Sequence, residues 1–185
     1  KYKLITCATM STNINFYSNE VEQLSCDSIN KEDKHVIQNW YKNGQKEIEE
    51  WYKNGLLHRE DGPAIEEWFE NGQKKREKWF KNGQKKREDG PAIEEWFENG
   101  QKKKEKWFEN GFREDGTVFQ GWFENGQKEF EEWYKNGEFH RENGPVFQGW
   151  FENGQKKYEA WYKNDNFHRE DGPAYQDWYK NGQKK

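Results

Sequence analysis

The side chains able to do acid–base, nucleophilic or metal chemistry are few in kind: four histidines, two cysteines, and 35 acidic against 31 basic residues. His58, His140 and His168 occupy one recurring position, and the equivalent position between them holds Lys86. A slot that takes His or Lys alike does not depend on imidazole titration, so it reads as packing rather than catalysis or metal ligation. His35 stands alone. Glutamates come in adjacent pairs such as Glu66-Glu67 and Glu94-Glu95. Neighbours along a strand point to opposite faces, so neither pair can form a carboxylate dyad, and both read as solvated. Serines are confined to the first 30 residues and carry no glycine elbow. Glycines fall at turn spacing rather than in a phosphate-cradling loop. Cys7 and Cys26 are too few for a zinc site, and no histidine follows at ligand spacing. They leave two readings, free thiols or one disulfide. No catalytic residue, cofactor or metal is expected.

What must position these residues is a tandem array. The stretch Arg59 to Lys75, REDGPAIEEWFENGQKK, returns verbatim at Arg87 to Lys103, 28 residues later. The tryptophans extend the rule as an aromatic ladder: Trp40, Trp51, Trp68, Trp79, Trp96, Trp107, Trp122, Trp133, Trp150, Trp161 and Trp178. Their spacings alternate between 11 and 17, except for 15 between Trp107 and Trp122. The chain divides into a non-repeat N-terminal cap, 1–34, and an array over 35–185. The array holds about five units of 28 residues, one of them shortened by two. Removing two residues preserves strand parity, so Trp122 should keep the face of the other tryptophans.

Composition excludes an ordinary globule. Only 30% of residues are hydrophobic, 18% are aromatic and 36% are charged. High charge with few apolar residues usually means disorder, but disordered chains are poor in aromatics. An extended repeat fold, with aromatics stacked between units, resolves the conflict. The net charge of −4 is interleaved along the chain with no basic patch, so nucleic acid is not an expected partner. No apolar run approaches a transmembrane span.

The array is β because Asn-Gly recurs three residues after Trp, at Asn43-Gly44, Asn54-Gly55, Asn71-Gly72 and onward to Asn110-Gly111 and Asn181-Gly182. That dipeptide favours two-residue type I′ hairpin turns. Asp-Gly-Pro at 61–63, 89–91 and 171–173 punctuates a second time. Each unit then holds three short strands. Taking every Asn-Gly as a two-residue loop sets Trp68 opposite Lys75, Trp79 opposite Lys86, Trp51 opposite His58, and Lys185 opposite Trp178. It aims His58, His140 and His168 at Trp51, Trp133 and Trp161. About sixteen strands roughly 4.8 Å apart would make a sheet about 70–80 Å long. Trp points to one face and the following Tyr or Phe to the other. The fold class expected is all-β: an elongated, open, single-sheet antiparallel meander of tandem hairpins.

Trp-Tyr/Phe-x-Asn-Gly followed by a polar strand and a second aromatic resembles MORN repeats, in the degenerate variants of bacterial antitoxin-like proteins and large DNA viruses. The segment Leu56 to Ala64 is similar to the viral type, and the likeness spans about 36–185. The standard Gly-x-Gly pattern is missing and the unit is longer. The resemblance implies an elongated β-meander used as a scaffold and for protein contact or self-association, in an intracellular or virion-associated setting. Lipid binding is attributed to that family, but this chain shows no basic face for it. The expected function is a non-enzymatic structural or protein-interaction module, with contacts through the sheet edge or the aromatic face. The alternatives are an antitoxin or immunity protein masking a toxin, and a carbohydrate-binding module using the Trp face.

Overall fold

The computed structural model describes residues 34–108, 117–163 and 165–185, which contain strands and turns but no helix. The proposed cap, with Cys7 and Cys26, and the Asn110-Gly111 turn lie outside the described residues. The first half runs β1 (Lys34–Trp40), β2 (Lys46–Lys53), β3 (Leu56–Leu57), β4 (Ile65–Trp68), β5 (Lys74–Lys78), β6 (Phe80–Lys81), β7 (Gln84–Lys85), β8 (Ile93–Trp96) and β9 (Lys102–Lys106). The second runs β10 (Thr117–Trp122), β11 (Lys128–Lys135), β12 (Glu138–Phe139), β13 (Phe147–Trp150), β14 (Lys156–Ala160), β15 (Tyr162–Lys163), β16 (Asn166–Phe167) and β17 (Tyr175–Asp177).

Among the described residues the main path is one antiparallel meander, β1-β2-β4-β5-β8-β9-β10-β11-β13-β14-β17, not closed on itself. It has eleven strands rather than sixteen, so ten steps of about 4.8 Å make about 48 Å, not 70–80 Å. The third strand of each unit does not lengthen the sheet. β3 and β12 pair only with β2 and β11, and β6-β7 and β15-β16 are separate two-stranded arms.

The tryptophan backbone is where each arm forks from the sheet. Trp51 N–H donates to Ala64 O at 2.8 Å, while Trp51 O accepts from His58 N at 2.9 Å. Trp79, Trp133 and Trp161 repeat both bonds with Ala92 and Lys86, Val146 and His140, and Ala174 and His168. Between the two bonds the chain makes the Asp-Gly-Pro loop. The residue it returns on is small and buried: Ala64, Ala92 and Val146 are at most 1% exposed. Apolar core in this fold is mostly such contact points, strung along the sheet.

Asn-Gly makes two different turns, and this overturns half of the expected register. At Asn54-Gly55, Asn82-Gly83 and Asn136-Gly137 both residues have positive φ, from 50° to 82°. These are type I′ loops, with Tyr52 opposite Leu57 and Phe80 opposite Lys85. Trp51 therefore faces His58 and Trp79 faces Lys86, as expected. At Asn71-Gly72 only the glycine has positive φ. Phe69 N–H donates to Gln73 O and Gly72 N–H to Phe69 O, which closes a three-residue turn with the glycine as a bulge. A second irregularity follows, and Trp68 pairs with Lys74, not Lys75. The turns at Asn43, Asn99, Asn125 and Asn153 close in the same way. At the C-terminal turn Lys184, not Lys185, bridges Trp178.

At five of the six described bulged turns the asparagine also makes a bond between units. Asn71 Oδ1 accepts from Gln73 N–H, and its Nδ2 reaches the Glu98 carbonyl of the next unit. Asn43, Asn99, Asn125 and Asn153 make the same reach, to Glu70, Glu124, Glu152 and Lys180. A column of side-chain amides thus ties each turn to its neighbour.

Candidate functional site

Directly opposed residues share a face, and one row crosses the whole sheet. It reads Gln38, Glu49, Glu66, Glu77, Glu94, Glu105, Gln120, Glu131, Gln148, Glu159 and Gln176, each the cross-strand partner of the next. Seven of the eleven are glutamates. Sequence reading separated Glu66 from Glu67 correctly, since Glu66 bonds Arg59 and Lys74 whereas Glu67 bonds Arg76. It missed that the pleat brings carboxylates of successive strands together. The solvated-face reading is also corrected: Glu49, Glu94, Glu105 and Glu131 are at most 9% exposed.

Opposed carboxylates repel unless a cation lies between them. A lysine near the start of each upward strand supplies it. Lys74 reaches Glu66 and Glu77, and Lys102 reaches Glu94 and Glu105, each at 2.8–2.9 Å for Lys102. Where Gln120 and Gln148 replace glutamate, Lys128 and Lys156 bond the amide oxygen and the remaining carboxylate. The bulge at the turn is what delivers these lysines, because it rotates Lys74 onto the ladder face and leaves Lys75 on the other.

The arginine of each Asp-Gly-Pro loop closes the ladder from the other side. Arg59 bonds Glu66 at 3.0 Å and Pro63 O at 3.3 Å, and its guanidinium lies 4.4 Å from the Trp51 ring centre. Arg87, Arg141 and Arg169 lie 4.3, 4.1 and 4.3 Å from Trp79, Trp133 and Trp161. The cation over each of these indoles is therefore arginine, one residue beyond the His or Lys expected. His58 instead pins two arms together: its Nδ1 accepts from Asn82 N–H at 3.0 Å and its Nε2 meets Glu60 at 2.9 Å. The tryptophan ladder splits into two rows. Trp51, Trp79, Trp133 and Trp161 have a guanidinium on the ring, and Trp68, Trp122, Trp150 and Trp178 have a lysine ammonium 5.1–6.0 Å away. Lys128 reaches both Trp122 and Trp150, so Trp122 keeps the shared face past the shortened unit.

Charge pairing sets the titration of the ladder. Burial by itself would raise the Glu49 and Glu105 carboxyls, but the Lys46 ammonium with the Gln38 amide, and the Lys102 ammonium with the Gln120 amide, hold them below the ordinary range. Glu159 is lowered in the same way, with Lys156 overcoming burial. Burial opposes the charge on Lys74 and Lys102 too, and the flanking glutamates raise both. A general acid needs a carboxyl held protonated near neutral pH, and these shifts run the other way.

No family model, curated protein or solved structure matches this chain.

The opposite face is aromatic. Rings connect from Phe139 to Phe147, Tyr162, Phe167 and Tyr175 with centroids 4.6–6.3 Å apart. Earlier units carry ion pairs there, such as Arg76 with Glu67 and Glu95. Two later units replace the pair with glycine and a ring: Gly121 opposite Phe130, and Gly149 opposite Tyr158. A Cβ at either glycine would overlap the facing ring, so the ring lies across bare backbone. No helix among the described residues is long and apolar enough to cross a membrane.

Proposed function

We propose that this chain is a non-enzymatic structural or protein-interaction module, a degenerate MORN-like repeat that serves as a scaffold. The observation that carries this reading lies on the aromatic face, where the rings of Phe167, Tyr175 and Tyr179 are each more than half exposed. Exposed rings clustered on a sheet favour contact with another chain. The ladder supports the non-enzymatic half, because its carboxylates are bonded to cations or amides and three of them, Glu49, Glu105 and Glu159, are held below the ordinary range.

Light scattering over a concentration series tests these rings, comparing the chain with a Phe167→Ser, Tyr175→Ser double variant. The mass of the parent chain should rise with concentration and that of the variant should rise less. Equal masses for both chains at every concentration would overturn these rings as a contact surface.

A further inference from the structure

Near-identical repeats make local divergence informative, and one departure on the aromatic face is coordinated. Lys75 and Lys103 of the earlier units correspond to Glu129, and Arg76 and Lys104 correspond to Phe130 and Tyr158. Glu67 and Glu95, which those cations neutralise, correspond to Gly121 and Gly149. Each swap alone would break an ion pair, but together they convert a salt-bridged surface into a groove. The groove has a volume of about 460 Å³ and is walled by Phe123, Phe130, Phe151 and Tyr158, with Glu129, Glu132 and Glu152 on its rim.

The same face already shows what such walls hold. One row away, the Lys106 ammonium lies 5.4, 5.4 and 5.9 Å from the rings of Phe108, Phe119 and Tyr134. Ring faces attract cations, and a nearby carboxylate adds to the attraction. In the groove Glu129, Phe130 and Tyr158 stand where earlier units carry cations, while Lys157 keeps the position of Lys75 and Lys103. Burial, with the Glu132 and Glu129 carboxylates, keeps the Tyr158 phenol protonated, so the wall adds no charge of its own. Tyr134 donates to Glu132 and so fixes one rim carboxylate in place. Lys157 lies 5.8 Å over Phe151 at the side of the groove, and Lys180 lines it as well, so the three rim acids keep an excess of one negative charge.

We infer that this groove is a binding site for a lysine side chain presented by an extended basic segment of a partner protein. The site rests on the reading of the chain as an interaction module, and neither Phe167 nor Tyr175, the rings that test that reading, lines it.

Isothermal titration calorimetry tests it with an acetylated nonapeptide of alternating glycine and lysine, and with the same peptide carrying glutamate. The lysine peptide should bind one-to-one and more weakly as salt is raised, and the glutamate peptide should not bind. Glu129→Lys restores the residue of the sibling repeats at an exposed position and should weaken binding at least tenfold. Tyr158→Lys should do the same. Lys103→Gln, at the equivalent strand position of an earlier unit, should change binding less than twofold. Thermal melts show whether each variant is folded. Absence of lysine-peptide binding, or binding that Glu129→Lys and Tyr158→Lys leave intact, would overturn the site. So would self-association abolished by Glu129→Lys, which would assign the groove to a second copy. Any of these results leaves the Phe167 and Tyr175 rings to their own scattering test.

Discussion

Removing one ladder cation exposes what holds the sheet together. Lys102→Met takes away the ammonium between Glu94 and Glu105, which are direct cross-strand partners and 9% and 7% exposed. Facing side chains in a sheet stand about 5 Å apart, and two carboxylates at that distance repel by about 3 kcal/mol at an effective dielectric of about 20. Two facts reduce the figure. Arg87 still bonds Glu94 at 2.8 Å and Gln120 still donates to Glu105. The Lys102 side chain is itself 36% exposed, so its pairing is partly screened by water. The expected loss is about 1–2 kcal/mol at pH 7, measured as a shift in the urea midpoint with m unchanged. Adding Glu94→Gln and Glu105→Gln to Lys102→Met should recover most of it, since amides neither repel nor need the cation. A loss under about 0.3 kcal/mol, or no recovery in the triple variant, would refute the ladder as a charge-balanced core.

The pH dependence follows from the same pairs. Carboxyls lowered in the fold stabilise above their unfolded value of about 4.3 and lose that contribution as pH falls through the lower folded value. Lys74 and Lys102 are raised, so their contribution is complete below about pH 10.4 and is lost as pH climbs through the folded value. Thermal scans should show a plateau between those limits and a fall on both sides. Gly149→Ala should cost about 1–3 kcal/mol by driving the Tyr158 ring off the backbone, and Tyr158→Lys should relieve much of that in the double variant, read by urea unfolding. Asn71→Ala removes both the turn acceptor and the bond to Glu98 O, and should cost about 1 kcal/mol by the same assay. Arg141→Met uncovers Trp133, which is 4% exposed, and should shift its fluorescence to the red while costing about 1 kcal/mol.

Sequence alone determined the repeat, the all-β class and the facing directions, because all three depend on local rules. Period-two alternation puts Glu66 and Glu67 on opposite faces in any strand, and a two-residue deletion cannot turn Trp122 over. Type I′ turns at Asn54-Gly55 and Asn82-Gly83 were legible for the same reason, as was the pairing of Trp51 with His58 that they impose. Asn71-Gly72 was not legible, because the same dipeptide satisfies both a two-residue turn and a three-residue turn with a glycine bulge. The bulged form at Asn71 goes with a bond to Glu98, 27 residues on, which exists only once neighbouring hairpins are side by side. The ladder was hidden in the same way. A single unit shows a glutamate on a polar strand, and solvation is then its natural state. Glu94 and Glu105 become buried neighbours only when two strands pair, when the bulge turns Lys102 towards them and the loop lays Arg87 over Trp79. Tertiary structure decided which cation meets which ring, because that choice belongs to a loop folding back over the sheet and not to any spacing along the chain.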